Sequence, residues 1–117
     1  MATYTKNILS GSTSGTPIPI TVTTGSGDLI HTAVASTGAA FDEIWLYANN
    51  TSTSPILLTI QFGGTTDPQH LKPITLAPQA GDVLVVAGLI LQNSLVVRAI
   101  AATASKVTIS GYVNRIA

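Results

Sequence analysis

Residues 56–62, ILLTIQF, set Ile56, Leu58, Ile60 and Phe62 on one side of an extended chain, with Thr59 and Gln61 on the other. Successive strand side chains point to opposite faces, so this period of two marks a strand with one face on a core and one toward solvent. The same signal recurs in both directions along the chain. Upstream, the polar loop NNTSTS (49–54) follows FDEIWLYA (41–48), which places Ile44 and Leu46 on one face and Glu43, Trp45 and Tyr47 on the other. Before that come PIPITVTT (17–24), the turn GSGD (25–28) and LIHTAV (29–34). Pro17 and Pro19 lack a backbone donor, which suits the start of an edge strand. Downstream, Gly63-Gly64 ends the strand and the loop TTDPQ leads to LKPITLA (71–77) and the turn PQAGD (78–82). VLVVA (83–87), LVVRAIA (95–101) and KVTISGYVNRI (106–116) complete the set, with Val107, Ile109 and Val113 on one face. Gly88 is expected to break the pairing, with LIL (89–91) covering one end of the body.

Eight short strands separated by turns, with no helical period, predict an all-β protein. The economical arrangement for eight is a jelly-roll β-sandwich over residues 16–117, preceded by a flexible Ser, Thr and Gly-rich arm, residues 1–15. In that topology one sheet orders the segments 17–24, 106–116, 41–48 and 83–87. The other orders 29–34, 95–101, 56–62 and 71–77.

The chain has 117 residues, enough for one domain. Charged residues are 9% of it, against about 25% in ordinary globular domains, and Ser and Thr fill the gap at roughly a quarter of the chain. Five acidic and five basic residues cannot cover the exposed surface of such a domain, so the remaining apolar area is expected to be buried against other subunits. The basic residues are scattered and the net charge is zero, which argues against nucleic acid as a partner. There is no cysteine, hence no disulfide framework and no thiolate chemistry. The start, MATYTKNILSGSTSG, has no charged-then-apolar run of a signal peptide.

The segment GDVLVVAGLIL (81–91) departs from alternation, with nine uncharged residues from Val83 to Leu91. It is far short of the roughly 20 residues a membrane helix needs, and its glycine and valines suit a strand; no membrane partner is expected. With Val83 and Val85 turned into the core, Leu84 and Val86 face outward. The predicted strand order then joins Trp45, Tyr47, Leu84, Val86 and Tyr112 into one apolar patch. Such a patch is uncommon on a monomer and marks a subunit interface. The competing reading reverses the faces and places Trp45 and Tyr47 in the core; Glu43, on the same face, argues against it.

Candidate chemistry is sparse. His31 and His70 are isolated, and although Asp28 and Asp67 lie near them, ligand number and type fall short of a metal site. Both histidines are expected on the surface, in or near loops. No serine occupies a Gly-x-Ser-x-Gly elbow. Asp42 and Glu43 are neighbours on a strand and point to opposite faces, so they cannot converge as a glycosidase pair. Catalytic residues, metal and cofactor are therefore all expected to be absent. Trp45, Tyr47 and Tyr112 also offer a stacking platform for a sugar, but few polar side chains surround them.

The segment PITLAPQAGDVLVVAGLILQNSLVVRAIAATASKVTISGYV (73–113) carries an Ala-Gly-Asp turn, an apolar strand, a Gly-Leu corner and two strands ending in a Gly-aromatic pair. In this it resembles small β-sandwich virion proteins of tailed bacteriophages, the capsid decoration or cement proteins. The resemblance covers most of residues 16–116. It implies a homotrimer on the outer surface of the capsid, made in the host cytoplasm, that clamps major capsid protein subunits against the pressure of packaged DNA. It carries no catalytic residue. An arm that orders on binding suits this role, with Tyr4, Ile8 and Leu9 as the anchors of capsid attachment. The alternative is the receptor- or glycan-binding tip domain of a phage tail fibre.

Overall fold

The computed structural model describes residues 3–117, and within them every regular element is a strand. Nine strands run in chain order: β1 (Tyr4–Ile8), β2 (Ile18–Pro19), β3 (Asp28–Thr32), β4 (Phe41–Asn50), β5 (Ile56–Phe62), β6 (Leu71–Leu76), β7 (Val83–Leu91), β8 (Val96–Ala101) and β9 (Val107–Ile116). They form two antiparallel sheets. One has the order β1-β9-β4-β7, with the two-residue β2 also paired to β9; the other has the order β3-β8-β5-β6.

The core is what the alternating segments dictate. Ile44, Leu46 and Ala48 of β4 and Val107, Ile109 and Val113 of β9 face Leu58 and Ile60 of β5 and Val97, Ala99 and Ala101 of β8. All are essentially inaccessible to solvent. Each fully buried Leu or Ile contributes about 1.5–3 kcal/mol relative to exposure. Gly111 sits opposite Leu46 in the β4–β9 ladder, where a Cβ would collide with the Trp45 carbonyl oxygen, so glycine alone lets these two central strands meet at full contact.

Three expectations are corrected. The first concerns residues 1–15. Residues 1 and 2 lie outside the described residues, but Tyr4–Ile8 is an edge strand paired with Ile116–Tyr112 of β9, not a loose arm. Leu9 then turns into the core, 1% exposed, and the Gly11 N–H donates to the Ile30 carbonyl. A Cβ on Gly11 would overlap the Leu29 carbonyl oxygen, so the segment is seated tightly against β3. The second concerns Gly88, which does not end its strand: β7 continues to Leu91. The register between β4 and β7 slips twice, leaving Val85 and Gly88 as the extra residues of two bulges.

The third correction follows from those bulges. Val86 was expected to face outward. Because Val85 is an extra residue, Leu84 lies opposite the outward Tyr47 while Val86 lies opposite the inward Leu46. Val86 is therefore core, 1% exposed, with Val85 packed beside it.

Candidate interaction surface

Strands β9, β4 and β7 carry the outward residues of the first sheet. Tyr112 of β9 lies opposite Trp45 of β4, Ser110 opposite Tyr47, and Tyr47 opposite Leu84 of β7. Trp45, Tyr47, Leu84 and Tyr112 are thus brought together on one face, as their positions in the sequence imply; Val86 is the member that leaves the set. The structure adds residues that the sequence reading assigned elsewhere. Ile8 stands beside Tyr112 and Ile90 beside Glu43, 55% and 58% exposed.

The aromatic pair is held in place. The Trp45 and Tyr112 rings stack with centroids 6.4 Å apart and planes 17° from parallel. The Lys6 ammonium sits 4.6 Å from the Tyr112 ring centroid. Trp45 Nε1 donates to Glu43 Oε1 at 2.7 Å, and Asn114 Nδ2 donates to the same oxygen at 3.1 Å. These donors, the Trp45 indole first, hold the Glu43 carboxyl below its ordinary range, with slight desolvation opposing. On its far side the Trp45 ring rests against Gly88, whose φ of 71° is left-handed and whose missing Cβ would come 2.8 Å from Trp45 Cζ2. The second bulge therefore exists where the indole needs room. Rings fixed in this way lose little further freedom when another surface covers them.

Beyond Ile90 the apolar surface turns into a groove of about 380 Å³ lined by Phe41, Ile90, Leu91, Gln92, Asn93 and Leu95. Gln92 closes its base by donating to the Gly38 and Ala40 carbonyls. The β7 edge between face and groove has no neighbouring strand in its sheet.

Of the proposed attachment residues, Tyr4 and Ile8 are exposed on β1, at 71% and 55%, and Leu9 is not available because it fills the core. One histidine also departs from expectation. His31 is buried, 2% exposed, and its Nε2 lies 2.7 Å from Asp42 Oδ2. Its Nδ1 accepts the Ser10 N–H, which places the ring proton on Nε2, where it donates to Asp42. Arg115 completes the group, donating from Nε and Nη2 to the two Asp42 oxygens at 2.7 and 3.0 Å. Burial alone would raise the Asp42 carboxyl, but the Arg115 and His31 donors outweigh it and hold the group below its ordinary value. This cluster ties the N-terminal segment, β3, β4 and β9 together; Asp42 is fully inaccessible, while the Arg115 side chain reaches solvent. His70 is half-buried in the β5–β6 connection, where its Nδ1 accepts the Thr66 N–H. Asp28 instead accepts from Thr21 and Val22. Among the described residues no three His, Cys, Asp or Glu side chains gather as a metal site would require.

No protein-family model, curated protein or solved structure matches this chain.

Proposed function

We propose that this protein is a structural subunit of a phage virion, a homotrimeric capsid decoration or cement protein with a jelly-roll fold. The strand orders β2-β9-β4-β7 and β3-β8-β5-β6 support the jelly-roll reading, since each sheet draws alternately from the two halves of the chain. The observation that carries the functional reading is the outer face of the first sheet. Trp45, Tyr47, Leu84 and Tyr112 run across three adjacent strands, and Ile90 extends them. In a chain with so few charges, such a face is best accounted for by burial against another subunit.

The role is mechanical. A trimer that touches several capsid subunits at once binds only the assembled shell, so by mass action it stabilises that state. Several modest contacts on one surface reinforce one another. Tyr4 and Ile8 are the attachment residues, presented on an ordered strand. The glycan-binding alternative is less well supported, because the polar groups beside the aromatic pair are engaged with one another: Glu43 with Trp45 and Asn114, and Lys6 with Tyr112.

The test is cosedimentation with capsids of the encoding phage stripped of this protein. Wild type is expected to pellet with the shells, and Tyr4→Ser with Ile8→Ser to stay in solution while keeping the wild-type oligomeric mass. Undiminished pelleting of that double variant contradicts the attachment site. Failure of wild type to pellet, with binding on a glycan array, favours the fibre-tip reading.

A further inference from the structure

We infer that His31 is a pH-operated latch: with Nδ1 unprotonated it holds the segment that follows β1 against the sandwich, and a proton on that nitrogen releases the segment. The latch stands apart from the assembly proposed above. It adds a control over attachment, because the segment it holds leads directly from the strand that presents Tyr4 and Ile8.

The ring is committed on both sides. Nε2 donates to Asp42 Oδ2 at 2.7 Å, and Nδ1 accepts the Ser10 N–H at 3.0 Å. A backbone amide can only donate, so the second bond exists only while Nδ1 keeps its lone pair free. Two further bonds depend on Ser10 and Gly11 staying in place: the Thr32 N–H donates to Ser10 Oγ at 2.7 Å, and the Gly11 N–H to the Ile30 carbonyl at 2.9 Å. Imidazole is the side chain that ordinarily changes charge between pH 5 and 8. Once Nδ1 carries a proton, two N–H groups face each other, and the new donor on this buried ring is met only if the segment moves aside.

The charged neighbours do not offset this. Asp42 of β4 stays on Nε2 in both states, and Arg115 of β9 is tied to the same carboxylate by two hydrogen bonds. Their charges cancel, while Val97, opposite His31 on β8, and Ser10 carry none. Burial raises the Asp42 carboxyl, but its Arg115 and His31 hydrogen bonds outweigh it, so it stays ionised in mild acid and the proton taken up goes to the ring. A proton that only the released state accepts on Nδ1 favours that state as pH falls. For a histidine of ordinary basicity after release, the opening equilibrium rises about tenfold between pH 7.5 and 5.5.

Amide hydrogen exchange on the full-length protein, corrected for the intrinsic effect of pH, tests this. Protection of the Ser10, Gly11 and Thr32 amides is expected to fall about tenfold from pH 7.5 to 5.5 while that of β5 holds. His31→Asn, whose side-chain carbonyl can take the Ser10 N–H and does not titrate, is expected to abolish the pH dependence. His70 Nδ1 also accepts a backbone N–H, from Thr66, so His70→Asn is run beside it and is expected to behave as wild type. If the three amides keep their protection at pH 5.5, or lose it only in step with β5, the latch is overturned. It is equally overturned if His31→Asn folds and opens with the wild-type pH dependence. Should His31→Asn not fold, His70→Asn decides: a pH effect retained there supports the latch, and one lost there assigns the effect to His70 and overturns it.

Discussion

Asp42 accepts hydrogen bonds from His31, from the Val34 N–H and from both arms of Arg115, so one buried carboxylate organises three strands and the segment that follows β1. Its folded-state pKa is depressed, so its contribution to stability is present above the unfolded value, near 3.9, and is lost as pH falls through the lower folded one. Denaturant midpoints should accordingly fall in acid below about pH 4–5. Asp42→Asn should cost about 2–4 kcal/mol at neutral pH, because it strands the partly buried Arg115, and should flatten the acid limb. Unchanged stability of Asp42→Asn under urea would show the cluster to be incidental. Part of this site is legible in the sequence. Asp42 shares the inward parity of Ile44 and Leu46, and Arg115 that of Val113, so an inward acid and an inward base are both readable. His31 is not, because the bulge at Ile30 buries two consecutive residues, Ile30 and His31, and breaks the period on which the reading depends.

At the scale of the element, β7 shows how two inserted residues change the meaning of a strand. Strict alternation puts Val86 beside Leu84 on the outside; the bulge at Val85 turns it inward. Two substitutions on this strand should then behave oppositely. Val86→Lys buries a charge and should abolish the folded state in circular dichroism, whereas Leu84→Lys should leave the melting temperature within a few degrees of wild type. Gly88→Ala forces a left-handed residue against the Trp45 ring and should cost about 1–3 kcal/mol, with a changed Trp45 emission spectrum. The long strands β4, β5, β8 and β9 were legible because one face of each is apolar at every second position. β1 was not: from Tyr4 to Ile8 nearly every residue is exposed, so no alternation marks it, and only the buried Leu9 beyond its end would have signalled its attachment. The β6 edge is protected in a readable way, since Pro73 lacks a donor and Lys72 points inward over Phe62, both of which discourage further strand pairing. The β7 edge has neither device.

For the whole molecule, the account depends on a surface with too few charges for its size and on the apolar outer face of the first sheet. The sequence pointed to association through its composition and through Trp45, Tyr47 and Tyr112. Removal of residues 1–15 is expected to destabilise the subunit as well as impair attachment, since Leu9 alone contributes about 1.5–3 kcal/mol of burial. The most direct test of the subunit interface is the solution mass of wild type and Leu84→Lys over a wide concentration range. The account predicts three times 12.0 kDa for wild type and a folded single subunit for Leu84→Lys. A wild-type protein that stays at 12.0 kDa at the highest concentration, or a Leu84→Lys variant that assembles like it, would contradict the account.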